Sequence, residues 1–286
     1  MTAWLHKQLP LRVALLWIVA STFLITGSGY SLFKKFLNPL TITVSKDDRI
    51  LEILQTGPQR DRLTVDQLAE ILGLAQDIPT SLQSFDLKKA EEALLTLPVL
   101  KEVHVEKLFP HTLYIDYTMR EPVAFVYDYE NMAIDEAGYV FPFSPFYSPK
   151  MFPEIYFGKT LAKEIEQGKP LQGKELDLAL HLVELLQPIT MQEPLFLKRV
   201  DVSQAFHKSF GRQEIVIEIT HEALAFPLTA SQKFLHYLRL SPQSYNQQLG
   251  NYFVLHKELM LGAPSKQVPI RVIDLRMEGM AFIQEN

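Results

Sequence analysis

From Val13 to Phe33 the chain reads VALLWIVASTFLITGSGYSLF without one charged residue. About 20 apolar-leaning residues are what a helix needs to cross a ~30 Å hydrocarbon core. Arg12 closes the run on one side and Lys34 with Lys35 on the other, where cationic side chains reach headgroups while their stems stay in lipid. Trp17 and Tyr30 stand near the two ends, the interfacial depth that amphipathic rings prefer. A cleaved signal peptide is the alternative. "TGSGY" supplies small residues for it but no convincing Ala-x-Ala, and the run exceeds the usual apolar region of a signal, so length favours an uncleaved anchor. Lys7 and Arg12 with the amino terminus barely outweigh Lys34, Lys35 and Lys46, so charge alone gives only a slight orientation bias.

An anchor of this kind leaves a tail of residues 1–12 on one side and the remaining chain on the other. That remainder belongs to a 286-residue chain with 47% hydrophobic and 21% charged residues, the composition of a folding chain with room for two domains. A net charge of −5 without any Lys/Arg block argues against nucleic acid as the main ligand. The absence of cysteine excludes disulfides, thiol nucleophiles and Cys-based zinc sites, and leaves the compartment open.

Residues 40–44, "LTITV", read as a short strand. "RLTVDQLAEILGLA" predicts a helix with Leu63, Leu68, Ile71 and Leu72 near helical spacing and a capping box from Thr64 and Gln67. "FDLKKAEEALLTLP" predicts a second, capped by Asp86, with Leu87, Ala90, Leu94 and Leu97 on one face and Pro98 as its stop. "LKEVHVEK" and "TLYIDYTMRE" alternate apolar with polar residues and predict two half-buried strands joined by "LFPH". The order is strand, helix, helix, strand, strand. Beyond Pro122 short runs predict strands at "VAFVY", "NMAID" through "EAGYVF", "LKRVDV", "EIVIEI" and "ALAFPL", with helices at "KELDLALHLVELLQ" and "TASQKFLHYLRL". "IRVIDLRM" and "MAFI" predict a closing strand pair around "EG". Four prolines in "FPFSPFYSPKMFPEIYFG" speak against a regular element there, and its aromatics suit a strap packed across the sheet.

Catalytic patterns fail on inspection. No histidine pair has the His-Glu-x-x-His spacing. His104 and His111 flank a turn with Glu106 nearby, but alternation assigns His104 to a solvent-facing position. "SLFK" from Ser31 matches Ser-x-x-Lys without the companion motifs of penicillin-binding enzymes. "PEIYFGKT" has Pro153 where a phosphate loop needs its first glycine. The terminal run "RVIDLRMEGMAFI" has the content of an exposed sheet edge able to accept a partner strand. Its pattern fits core strands equally well.

Taken in order, these segments resemble the FtsQ/DivIB family of bacterial division proteins. The likeness rests on the membrane segment, on "FDLKKAEEALLTLPVLKEVHVEKLFPHTLYIDYTMREPVAF", on the "D-x-x-G" hairpin in "AIDEAGYVF" and on the ending "VIDLRMEGMAFI". The resemblance implies an α+β protein: a cytoplasmic tail (1–12), a single transmembrane helix (13–33), a polypeptide-transport-associated (POTRA) βααββ domain (40–122), and a mostly antiparallel β domain with peripheral helices (123–286). It implies a single-pass protein of the inner membrane with its C-terminal domains periplasmic, acting as a non-enzymatic divisome scaffold for septal peptidoglycan synthesis without catalytic, metal or cofactor residues. Partners would be FtsB/DivIC-like and FtsL-like membrane proteins, other divisome components and the bilayer, and not nucleic acid. Carried over by position, the partner-binding residues are Arg276, Met277, Gly279, Met280, Ala281 and Phe282. Met277 stands where the family usually has tyrosine, and "MEG" is one residue shorter than the family's turn. The POTRA-like part alone would also suit an accessory of secretion or outer-membrane assembly.

Overall fold

A computed structural model describes residues 48–75, 78–148, 150–166, 168–192, 195–224, 231–259 and 270–285. The expected tail, the expected membrane helix at 13–33, Ser31 and the expected strand at 40–44 lie outside these residues. Among the described residues no helix is long and apolar enough to cross a membrane.

Both N-terminal helices begin where their caps predict. Helix α1 (Val65–Ile71) opens on the Thr64 hydroxyl, which accepts from Gln67 N at 3.2 Å, while the Gln67 side chain accepts from Thr64 N at 2.9 Å. Two amides that the first turn cannot satisfy internally are thereby paired. Helix α2 (Leu87–Leu94) opens on Asp86, whose carboxylate accepts from Lys89 N at 3.2 Å, and ends well before Pro98. Leu68, Ala90 and Leu94 are buried against a three-stranded sheet. Its strands β1 (Glu52–Thr56), β2 (Leu100–Leu108) and β3 (Thr112–Met119) lie in the order β1-β3-β2, with β1 parallel and β2 antiparallel to β3. Strand β1 escaped the sequence pattern because its alternation is inverted: Leu54 is exposed while Gln55 points inward, 3.3 Å from the buried Tyr117 hydroxyl.

The second sheet has nine strands: β4 (Ala124–Val126), β5 (Met132–Ile134), β6 (Val140–Pro142), β7 (Glu154–Tyr156), β8 (Leu195–Gln204), β9 (Glu214–Leu224), β10 (Ser231–Leu240), β11 (Ile270–Asp274) and β12 (Phe282–Glu285). Their order is β12-β11-β10-β9-β8-β7-β4-β5-β6. Five of its eight pairings are antiparallel, as expected, and three, β4–β7, β7–β8 and β10–β11, are parallel, so the sheet is mixed. Parallel neighbours need a crossover, and helices α3 (Lys159–Ala162) and α4 (Lys174–Gln192) connect β7 to β8, while α5 (Tyr245–Leu259) connects β10 to β11. Leu176, Ala179, Leu182, Val183 and Leu186 of α4 share one buried cluster with Val200, Ile215, Ile217 and Leu238 of the sheet.

Two expectations are corrected here. "TASQKFLHYLRL" is not a helix, since Ser231–Leu240 is a strand with Phe234, His236, Leu238 and Leu240 all buried at every second position. A histidine on the inward face had disguised the alternation. The proline-rich run holds a strand, β7, too short to show a period. Its carbonyl neighbour Pro153 still accepts from Phe125 N at 2.8 Å, a role that needs no amide hydrogen. Of "ALAFPL", only Ala223 and Leu224 belong to a described strand.

The rest of that proline-rich run does pack as a strap, and it closes the seam between the two sheets. Phe143, Phe146, Tyr147 and Phe152 join the cluster built around Leu68, Leu113 and Ile115. Phe125 meets the Phe143 ring edge-on at 5.0 Å, and Phe143 stacks on Tyr147 at 5.3 Å. Arg120, just past β3, is fixed beside the strap. Its guanidinium donates to Asp135 at 2.9 Å and to the Pro98 carbonyl at 3.1 Å, and lies 3.5 Å from the centre of the Tyr139 ring. The Tyr147 hydroxyl donates to the Arg120 carbonyl. Asp135 also accepts from Ala137 N and Tyr139 N, shaping the turn in which Gly138 takes φ +83° with the Leu171 carbonyl 2.8 Å from where a Cβ would stand. Only glycine meets both demands.

Side chains of Arg120 and Asp135 are 11% and 6% exposed, so removing one partner strands a buried charge. Arg120→Ala is expected to cost about 3–5 kcal/mol in urea denaturation. A loss within experimental error would refute the seam's dependence on this pair.

Candidate functional site

The nine-stranded sheet ends on β12, which pairs with β11 alone among the described strands. Unpaired backbone N–H and C=O groups on such an edge accept a further strand whatever the side chains are. Each step towards that edge follows from the chain. Leu235↔Ile270 through Arg239↔Asp274 set β10 beside β11, and Leu275 N donates to the Arg239 carbonyl at 3.0 Å to extend the pairing. A tight turn comes next, closed by Met280 N on the Met277 carbonyl at 3.3 Å, with Gly279 at φ +69°. No atom lies within 4 Å of a Cβ placed there, so glycine serves the left-handed backbone rather than close packing. The one-residue-shorter "MEG" therefore still turns the chain back onto β11.

Opposed residues of paired strands share a face. Phe282 stands opposite Asp274 on the face away from α5, and Ile283 stands opposite Ile273 on the core side. Strand β12 nevertheless has all four residues exposed. Met277, Met280, Phe282 and Ile283 are 46–55% exposed and cluster at this corner. An exposed β-edge with adjoining apolar side chains is the physical feature on which a further strand can pair.

Behind the turn lies a four-charge network on the face opposite α5. Arg276 donates to Asp274 at 3.0 and 2.7 Å and sits 3.3 Å from Glu214. Arg239 donates to Glu214 at 2.9 and 2.6 Å and lies 3.2 Å from Asp274. Burial pushes the Asp274 carboxyl up, but the hydrogen bonds from Arg276 and the charges of Arg276 and Arg239 outweigh it and hold the group below its usual range. Because that value is depressed, the network's contribution is present near neutrality and is lost only as strong acid protonates Asp274.

Of the residues singled out by sequence, Met277, Gly279, Met280, Ala281 and Phe282 come together at the exposed corner. Arg276 is half-buried and engaged by the network, so its place is to brace the turn. The expected strand "MAFI" held Ile283 but the site residues stopped at Phe282, and sequence reasoning missed Gln284, Glu285 and Arg271, which donates to Glu285 at 2.7 Å across β11–β12. "FIQE" carries no apolar-polar alternation, and the β-prone "MAFI" directly after the turn was the available signal. His104 and His111 do not meet. His104 is opposite Asp116 and bonds Glu106 at 2.9 Å, which with the nearby Glu91 raises its pKa, while His111 lies 3.3 Å from the Arg49 carbonyl. "PEIYFGKT" forms β7 and the start of the four-residue α3. Among the described residues no group of three His, Asp or Glu could hold a metal ion.

In comparison with known proteins, residues 57–117 match the family model described as POTRA domain, FtsQ-type. The match spans α1, α2, β2 and most of β3. No curated protein matches the chain.

If Gly279 is needed for its backbone alone, Gly279→Ala will cost about 1 kcal/mol locally, raising the open population of the C-terminal strand about fivefold. Gly279→Asn will cost less, since asparagine tolerates that conformation. Limited proteolysis within residues 277–285 reads both effects, and equal cleavage of all three proteins would contradict this role for the turn.

Proposed function

We propose that this protein, whose FtsQ-type POTRA domain supports an FtsQ/DivIB-family assignment, is a non-enzymatic scaffold of the cell-division machinery that takes up a partner's strand on β12. The observation that carries the reading is the outer side of β12, which no described strand pairs and which exposed Met277, Met280, Phe282 and Ile283 flank. Main-chain pairing supplies affinity in such docking, and pockets for alternate side chains supply selectivity. The partners fitting this role are FtsB/DivIC-like proteins, themselves paired with FtsL-like proteins, and the complex controls septal peptidoglycan synthesis. An anchor at 13–33 would hold the scaffold in the inner membrane with both sheets in the periplasm and the tail in the cytoplasm. A typical POTRA domain is an interaction module, which agrees with a role without catalytic residues.

Met277 occupies the place of the usual tyrosine, so the anchoring ring of this corner is Phe282, 55% exposed and ready to be covered. Aromatic anchors dominate interface energetics. The alternative of a secretion accessory is served by POTRA domains in general. The FtsQ type of this one favours division.

Depletion is expected to block septation. A photo-crosslinker at Phe282 should capture a small coiled-coil membrane protein, and one at Met151, 81% exposed and just before β7, five places from β12 in the sheet order, should not. Phe282→Ala should weaken that complex roughly tenfold or more, about 1.5 kcal/mol. Normal division after depletion, or identical adducts from both positions, would overturn the proposal.

A further inference from the structure

Three histidines meet beneath α5 without any part in the edge site. His221 comes from β9, His236 from β10 and His256 from α5, and all three are buried. The His221 and His256 rings lie 5.1 Å apart and the His236 and His256 rings 6.3 Å apart. The Tyr252 hydroxyl, also from α5, is 2.9 Å from His236 Nδ1. His236 Nε2 is buried without a hydrogen-bond partner among the described residues.

This cluster is wired to the edge by register. His236 is directly opposite Arg271 on β11, and Arg271 is directly opposite Glu285 on β12. Arg271 is 8% exposed and donates to Glu285 at 2.7 Å. A buried histidine thus stands next to the buried cation that fastens the outermost strand. Among the described residues, the groups facing His236 from the packed elements are His221, His256 with Tyr252, and Arg271. The carboxylate of Glu285 lies one strand further out, on Arg271.

We propose that the His221–His236–His256 cluster is a proton-operated latch on β12: neutral, it lets α5 and Arg271 hold the strand on the sheet, and protonated, it loosens them and frees the edge. A proton on His236 sets a second positive charge beside Arg271, and one on His256 sets it against the His236 ring, in a site with little water to screen it. The strain falls on α5 and the β11–β12 pair, not on the POTRA sheet. Its consequence for partner docking rests on the proposed strand uptake by β12, whereas the latch itself concerns this chain alone.

The sign comes from the direction of the shift. Burial first, then the charges of Arg271, His256 and His221, lower the His236 value from 6.5 to about 4. Stability from the neutral ring is therefore complete above about 6.5 and drains away as pH falls towards about 4. His104 on the POTRA domain is shifted the opposite way, so that domain serves as an internal reference.

The test is amide hydrogen exchange of the full-length protein in detergent micelles without any partner, corrected for intrinsic rates, at about pH 7.5 and about pH 5. Protection of residues 270–285 is expected to fall about tenfold or more on acidification while that of β2 and β3 holds, and His236→Asn, which keeps a polar atom towards Tyr252 but cannot titrate, is expected to flatten the fall. The wild-type profile is decisive even if that variant folds poorly. Protection that is independent of pH, that is lost everywhere at once, or that falls equally in a folded His236→Asn protein overturns the latch. Since no partner is present, none of these outcomes bears on whether the edge binds one.

Discussion

A guanidinium that has lost most of its water must find a full set of partners, and Arg120 finds them on both sides of the seam. The guanidinium takes the Pro98 carbonyl on the POTRA side and Asp135 with the Tyr139 ring on the side of the second sheet, while the Arg120 backbone amide donates to Val99 and its backbone carbonyl accepts from Tyr147. Two short motifs far apart in meaning, the "REP" exit and the "D-x-x-G" hairpin, are thereby halves of one fastening. Gly138 and the aromatic strap are fitted around it. This buried pair and the shared core of Phe143, Tyr147 and Leu113 join the two sheets.

From that seam the second sheet grows outward to β12, and each addition leaves the next edge open. Helical crossovers place β7 between β4 and β8, and β11 beside β10, where hairpins alone could not. Among the described strands, only the last remains exposed along its whole length. The charges of Glu214, Arg239, Asp274 and Arg276 tie three strands and the turn together on one side. Arg271 and Glu285 tie the last pair on the other.

The sequence was legible where local chemistry decides structure. Thr64 with Gln67 and Asp86 announced two helices, and the alternation from Thr112 to Met119 announced β3. It misled wherever a buried polar group stood on the inward face. His236 hid the strand β10, and α5 went unseen because its inward positions include Gln248 and His256 on either side of Leu249 and Tyr252. Gln55 did the same for β1. The residues that spoiled the pattern are buried or half-buried polar groups with partners of their own: Gln55 beside Tyr117, His236 beside Tyr252, and Gln248 accepting from Ser241 N. For the site, the turn, Phe282 and a C-terminal edge were expected from the resemblance, but the residue pattern alone fitted core strands equally well, because strand order depends on the parallel crossovers and not on any local pattern.

Strand uptake differs from ordinary side-chain docking in that β12 offers its backbone, and this is the central claim. Site-resolved amide exchange of residues 282–285, measured with and without the bound coiled-coil partner, addresses it directly. Strand addition predicts that the outward-facing amides of β12 become protected on binding while those already bonded to β11 change little. Outward amides that exchange as fast in the complex as in the free protein would contradict it.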